Sequence, residues 1–304
     1  MSPEHLSLEE ANRVKARAAY VSIVSNSVLI TFKLAVGIIS GSVGIISEAL
    51  HSGSDLLAAI IAFFSVRQAA KPADLRHRYG HEKVENVSGV IEGALILGAA
   101  VVIIYEATQK LIHGLHIDHL WLAIGVMLVS AAVNIGVSRY LYPIARRTES
   151  AALEADAAHL LTDVYTSLGV AAGLALVKLT GETFFDPLLA IAIAAIIIRT
   201  AIGLMSQSTR VLLDEALPDD ELAVIRDTVA EHRGELIIGY HRLRARRAGS
   251  KRHIDLHVTV EDDMGIVDAH DAAMHISEDI RRRLPNAEVL VHVEPRSHDR
   301  EDDS

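Results

Sequence analysis

The chain has 304 residues, half of them hydrophobic, no cysteine and a formal net charge of −10 at pH 7. Its mean hydropathy of +0.29, with only 22% charged residues, exceeds that of an ordinary soluble domain and indicates a membrane protein. The lack of cysteine excludes disulfides, thiolate metal sites and cysteine nucleophiles, and the acidic balance excludes a basic surface for nucleic acid.

Six apolar segments in the first two thirds of the chain predict membrane-spanning helices, each of which needs roughly 20 residues. They cover residues 18–40, 43–66, 84–112, 120–142, 151–179 and 184–205. The fifth segment is the least apolar, and the helical spacing of its apolar residues supports it. We interpret residues 1–17 as a retained tail, because they are charged and lack the apolar core of a signal peptide, and residues 18–208 as the transmembrane domain.

Positive charge is concentrated in alternate connections between these segments. Arginine and lysine precede the first span and lie between the second and third and between the fourth and fifth. The three connections on the opposite side hold one lysine between them. By the positive-inside rule, both termini are predicted to be cytoplasmic.

Beyond residue 208 the composition becomes that of a soluble domain. The periodicity over residues 209–295 predicts the order helix, strand, strand, helix, strand, which suits a small α+β domain of the ferredoxin-like type. Residues 296–304 are predicted to be a disordered tail. The expected fold class is therefore a membrane all-α six-helix transmembrane domain with a C-terminal cytoplasmic α+β domain.

Two HxxxD motifs lie inside the predicted membrane helices. His51 and Asp55 share one face of the second helix, and His159 and Asp163 repeat the pattern on the fifth. An ionisable side chain inside a bilayer is costly, so each one marks a functional candidate. If the motifs converge, they supply two imidazole nitrogens and two carboxylate oxygens, which is the ligand set of tetrahedral zinc. The histidines favour zinc, or cadmium, cobalt or iron, over calcium and magnesium.

Three other interpretations of the motifs stay open at this point. A single histidine or aspartate in a membrane helix can serve only as a hydrogen bond between helices. An intramembrane metal-dependent hydrolase would need an open coordination position and a general base, whereas two ligand pairs close the shell and no HExxH motif is present. A membrane-anchored metal sensor that does not transport would use only the histidines of the C-terminal domain.

The paired motifs, in this topology, resemble the cation diffusion facilitator family of exporters of zinc and other divalent metals. The resemblance covers nearly the whole chain and implies a secondary transporter, not an enzyme, that works as a homodimer in the bacterial inner membrane. It implies a transport site formed by His51, Asp55, His159 and Asp163. Because histidine titrates near neutral pH and a proton competes with a metal for the same lone pair, we predict metal/proton antiport by alternating access.

The resemblance also implies sites outside the membrane helices. Asp74, His77 and His81, in KPADLRHRYGHEKVE, fall where members of the family bind metal between the second and third spans. Lys83 and Asp214 match a charge pair that interlocks two protomers. The alternative for this loop is a basic segment that only orients the protein in the membrane.

Five residues of the soluble domain correspond to family ligands that hold a pair of regulatory Zn²⁺ ions at the dimer interface. They are His241, His257, His270, His292 and Glu294. The alternation of a strand places the last two on one face. The last ligand is glutamate where aspartate is common, and the alternative is that these are ordinary surface histidines.

Overall fold

The computed structural model describes residues 8–41, 43–113, 120–182 and 184–299, with the backbone alone at residues 8, 43, 44, 47, 48, 50, 51, 113, 120, 174, 298 and 299. The described residues form two compact units, one extending to Thr209 and the other starting at Arg210.

The first unit consists of long helices. They are α1 (Leu8–Ser40), α2 (Val43–Ala69), α3 (Val84–His113), α4 (Leu120–Thr148), α5 (Ala151–Thr180) and α6 (Phe185–Leu212). Within the described residues, α1 and α3 to α6 are long and apolar enough to cross a bilayer. Helix α2 has 27 residues, or about 40 Å at 1.5 Å per residue, which also exceeds the roughly 30 Å of a bilayer core. The predicted fold class is therefore confirmed for this part of the chain.

The helices extend beyond the segments that hydropathy predicts. Helix α1 begins at Leu8, inside the predicted tail, where the exposed side chains of Glu9 and Arg13 form an ion pair one turn apart. Helix α4 continues to Thr148 through two basic residues in its last turn. Hydropathy detects only the apolar part of a helix, so the polar ends that project from it were missed.

Helix α5 lies at the centre of the first unit, where it contacts α1, α2, α3 and α4. Small residues allow the close approach of α5 to α6. A Cβ atom added at Gly173 would lie 2.9 Å from the Cα atom of Asp186, closer than real side chains come, so glycine is required there.

The second unit is an α+β domain, as predicted. Its elements are α7 (Asp219–Glu231), β1 (Gly239–Ala248), β2 (Lys251–Val260), α8 (Ile266–Arg283), β3 (Ala287–Pro295) and α9 (Arg296–Asp299). The sheet order is β1-β2-β3, with β1 and β2 antiparallel and β2 and β3 parallel. The short helix α9 corrects the prediction that disorder begins at residue 296, because the Ser297 amide donates a hydrogen bond of 2.8 Å to Asp262.

One face of the sheet carries the hydrophobic core of this unit. Ile254, Leu256 and Val258 alternate along β2 and are buried, together with Ile225 of α7 and Ile276 of α8. The side chains between them in the sequence therefore point to the opposite face, which includes the predicted ligand His257.

A partly buried ion-pair cluster joins α7 to the sheet and should make the stability of the domain depend on pH. Glu221 accepts hydrogen bonds of 2.7 and 3.0 Å from Arg252 and pairs with Arg247. Burial raises the pKa of Glu221, but the hydrogen bonds from Arg252 and the charge of Arg247 outweigh it, so that the pKa lies below its ordinary value of 4.5.

Because this pKa is lower in the folded state, ionised Glu221 stabilises the fold above about pH 4.5, and the stabilisation is lost as the pH falls. We expect Glu221→Gln to lower the thermal unfolding temperature near neutral pH by a few degrees, and the difference from wild type to shrink at about pH 3. Circular dichroism of the purified full chain measures both. Glu235→Gln, at an exposed position, should not change the unfolding temperature at either pH. If Glu221→Gln lowered the unfolding temperature equally at both pH values, the loss would not come from the charge of Glu221.

Candidate metal centres

The first candidate centre lies between α2 and α5. The Nε2 atom of His159 is 3.1 Å from the Oδ1 atom of Asp55, and both side chains are buried. Asp163 lies one turn further along α5, and one ligand atom from each of the three residues lies within 4.8 Å of the others. The structure thus brings one residue of the first HxxxD motif together with both residues of the second.

His51, the fourth predicted ligand, lies on α2 one turn before Asp55. Its side chain is outside the described part of the structure, so its role stays a prediction.

Polar side chains of α1 and α4 contact the helices that carry this centre. The Nδ2 atom of Asn134 lies 3.5 Å from the Oδ2 atom of Asp163, at the long end of hydrogen-bond distance. The Nζ atom of Lys33 donates a hydrogen bond of 2.7 Å to the hydroxyl of Ser52, between the two residues of the first motif. Neither residue was predicted, although each is a polar interruption of an apolar helix, which is the available signal.

Two further carboxyl groups missed by the sequence analysis lie near His159. Glu92 of α3 and Asp156 of α5 are completely buried, and both interact electrostatically with His159. Ser88 donates a hydrogen bond of 2.9 Å to Glu92. Asp156 precedes His159 by one turn of the same helix, so the candidate centre continues as a row of acidic groups toward the start of α5.

A buried ion pair joins the ends of three helices. Lys15 of α1 lies 2.8 Å from the carboxylate of Glu85 at the start of α3, and both side chains are buried. Ser150 also donates to Glu85, while its oxygen accepts a hydrogen bond of 3.4 Å from the Leu153 amide as the N-cap of α5. Helices α1, α3 and α5 are therefore tied together at one end of the bundle.

The loop between α2 and α3 forms the second candidate centre. The Oδ1 atom of Asp74 accepts hydrogen bonds from the amides of His77, at 2.7 Å, and Arg76, at 2.8 Å. These backbone donors, that of His77 first, lower the pKa of Asp74 below its ordinary value. The other carboxylate oxygen lies 3.3 Å from the Nε2 atom of His81. The three predicted ligands of the loop can therefore meet at one ion.

The third candidate centre lies on the face of the sheet opposite the core. His241, His257 and His292 occupy one register position across β1, β2 and β3. Glu294 follows two residues after His292 on the same face, and its oxygens lie 2.7 Å from His257 and 3.0 Å from His241. One ligand atom each from His241, His257 and Glu294 lies within 4.8 Å of the others.

The charge of Glu294 suits a cation at this centre. Its partial burial raises the pKa of the carboxyl group, but the hydrogen bond from His257 and the nearby charges of His241 and His292 outweigh that effect, so the pKa lies below its ordinary value. The Nε2 atom of His292 lies 3.4 Å from the same carboxylate.

His270 does not lie with the other predicted ligands of this centre. It is exposed on α8, whereas the others stand on the sheet. Sequence periodicity placed it on a helix but could not show that this helix packs against the core face of the sheet. Within a single chain His270 therefore does not meet His257, and its predicted role at an interface between two copies of the chain stays a prediction.

The different positions of His257, on the sheet, and His270, on α8, allow a test with a matched pair of histidines. We expect Zn²⁺ to raise the unfolding temperature of the full chain and His257→Ala to weaken that response at least about tenfold in zinc concentration, since it removes a ligand. His270→Ala should leave the response unchanged. An equal loss in both variants would mean that the ion is held between two copies of the chain.

Lys83 and Asp214 belong to different units. Asp214 adopts a positive φ of 58° just after α6, and its carboxylate accepts a hydrogen bond of 3.0 Å from Arg246 in its own unit. The pairing of Lys83 with Asp214 between two protomers stays a prediction.

Family models match both units of the chain. The cation efflux transmembrane domain matches residues 19–213, and the cytoplasmic domain of cation efflux proteins matches residues 217–296.

Several known proteins are similar to this chain. The uncharacterized transporter sll1263 of Synechocystis is 35% identical over 277 residues, which cover 91% of this chain and 89% of that protein. The cation-efflux pump FieF of Escherichia fergusonii is 32% identical over 283 residues, which cover 93% of each chain. The metal-bound C-terminal domain of the CzcD transporter from Thermotoga maritima is 32% identical, covers 26% of this chain and 94% of that domain, and has a TM-score of 0.24.

Proposed function

Because the chain belongs to the cation efflux family of integral membrane transporters, also called cation diffusion facilitators, we propose that it exports zinc in exchange for protons. Membership of this family makes the chain a metal exporter and not an enzyme. Zinc as the cargo, protons as the exchanged ion and the residues of the transport site go beyond what family membership shows.

The observation that carries the proposal is the convergence of Asp55, His159 and Asp163 inside the helix bundle. Two carboxylates cancel the charge of a divalent cation, and neutral histidine adds none, so the loaded site is electrically neutral. A neutral and dehydrated complex is the form in which a metal is tolerated inside a membrane. His51, one turn before Asp55, completes a tetrahedral set of two nitrogens and two oxygens.

The mixed nitrogen and oxygen ligands favour zinc among the divalent ions. Calcium and magnesium prefer more ligands and oxygen alone, whereas cadmium, cobalt and iron(II) share the preference of zinc and are the competing cargoes. The histidines support the exchange for protons, because an imidazole with an ordinary pKa of about 6.5 binds either a proton or a metal ion near neutral pH.

We place the protein in the bacterial inner membrane as a homodimer with both termini in the cytoplasm, which agrees with the positive charge on alternate connections. The centre on the sheet then serves as a cytoplasmic sensor that binds Zn²⁺ and biases the transport cycle. The loop centre at Asp74, His77 and His81 is proposed as a metal site on the same side of the membrane.

Transport into vesicles of defined composition tests the proposal. Full-length protein in proteoliposomes should move zinc and protons in opposite directions, and an imposed pH gradient should drive zinc uptake. A panel with cadmium, cobalt, iron(II) and manganese ranks the cargo. Zinc flux without proton movement would refute the exchange, and a faster flux of another ion would refute zinc as the preferred cargo. Metal binding without any flux would favour the sensor that does not transport.

A further inference from the structure

A cavity of about 470 Å³ opens between α4, α5 and α6, on the side of α5 away from the metal centre. Glu154 and Leu161 line it from α5, and they are seven residues apart, so they lie on one face of the helix. At about 100° per residue, His159 and Asp163 lie roughly 140° and 180° around the same helix from Glu154. The cavity is therefore not part of the transport site.

The polarity of the cavity changes along its length. Near the start of α5, Gln207 of α6 donates a hydrogen bond of 3.3 Å to the carboxylate of Glu154. Leu161 and Tyr165 line the part that lies about 10 to 16 Å further along α5, at 1.5 Å per residue. One end is thus polar and close to the ends of the helices, and the other, lined by Leu161, Tyr165 and Thr200, is less polar and deeper in the membrane.

The two charged residues of the lining lie at different depths. The hydroxyl of Ser138 in α4 donates a hydrogen bond of 3.0 Å to the carbonyl of Ala157 in α5. These two residues therefore lie at about the same depth in the membrane. Ala157 is three residues deeper than Glu154, and Arg139 is one residue shallower than Ser138, so the backbone of Arg139 lies about 3 Å deeper than that of Glu154. Its side chain is exposed and has no ion-pair partner within the described ranges.

We propose that this cavity binds one phospholipid with an ethanolamine headgroup, from the leaflet at which α4 ends and α5 begins. The phosphate lies at Arg139, the ammonium group at Glu154, and an acyl chain runs along Leu161 and Tyr165. In such a lipid the phosphate lies deeper than the ammonium group, and this is the depth order of the two side chains. The inference needs the helices to span a membrane, and it does not depend on zinc or proton exchange.

The charges decide between the lipid classes available in a membrane. An arginine that lines a cavity open to lipid recruits a phosphate, which every phospholipid carries. Glu154 adds a negative charge beside the headgroup, which attracts a zwitterionic ethanolamine lipid and repels an anionic one. Phosphatidylethanolamine is therefore preferred over phosphatidylglycerol with the same acyl chains.

Native mass spectrometry of the full-length protein in detergent, with these two lipids added in turn, tests the inference. We expect one phosphatidylethanolamine to be retained more tightly than phosphatidylglycerol. Arg139→Ala should weaken retention of both lipids about tenfold, because it removes a charge-assisted hydrogen bond. Glu154→Gln should weaken phosphatidylethanolamine alone and bring the two affinities together.

The matched control is Arg199→Ala, at an exposed arginine of α6 that does not line the cavity. It should leave retention of both lipids unchanged. Equal losses in Arg139→Ala and Arg199→Ala would show unspecific surface lipid and overturn the inference. An unchanged preference in Glu154→Gln would overturn the choice of headgroup, and this nearly isosteric change keeps the test valid should Arg139→Ala fail to fold.

Discussion

Replacement of Asp55 by asparagine should reduce zinc flux into proteoliposomes at least about 100-fold, because even residues that only support a metal ligand contribute about 10- to 100-fold. The substitution keeps the shape of the side chain. It removes a charge that balances half of a divalent cation, and it removes the carboxylate 3.1 Å from His159.

Two further variants calibrate this loss. Asn134→Ala removes a neighbour of Asp163 that is not itself a proposed ligand, so we expect a smaller reduction of about tenfold. Glu106→Gln removes a carboxylate at an exposed position of α3 and should transport at the wild-type rate. Wild-type flux in Asp55→Asn, with normal size-exclusion behaviour, would remove this residue from the transport site.

Replacement of Lys15 by methionine should destabilise the full chain by about 3–5 kcal/mol, since it leaves the carboxylate of Glu85 buried without its cation. The ammonium and carboxylate groups are 2.8 Å apart, with side chains only 6% and 4% exposed, so water cannot replace the missing partner. Thermal or denaturant unfolding of the detergent-solubilised protein measures the change.

A double variant separates the charge from the packing. Lys15→Met combined with Glu85→Gln removes both charges and keeps a side chain that can accept the hydrogen bond from Ser150, so it should be more stable than Lys15→Met alone. Arg13→Met, which breaks the exposed pair with Glu9, should have little effect. A double variant as unstable as the single one would show that the loss comes from packing.

Helical spacing was sufficient to predict the two HxxxD faces, because residues four apart lie on one side of a helix wherever that helix packs. The same reasoning could not find Asn134 or Glu92. Their importance depends on which faces of α4 and α3 turn toward α5, and that is decided by packing between helices distant in sequence. A single polar residue in an apolar helix signals a polar partner but does not say which one.

In the second unit, strand alternation predicted that His292 and Glu294 share a face, and the structure places them so. The alignment of His241 with His257 and His292 required the register of two strand pairings, one of which contains an irregularity after His241. Register is set by the turn and by the buried pattern of neighbouring strands, neither of which a single strand displays.

The row of histidines across β1, β2 and β3 has a consequence for how the sheet opens. An edge strand normally exchanges its amide hydrogens early, because it can separate without disturbing the rest. An ion held by His241, His257 and Glu294 would connect all three strands, so β1 and β3 could no longer open independently. Binding of a metal ion would then slow the exchange of the backbone amide hydrogens of β1 and β3, and would slow it in both strands together.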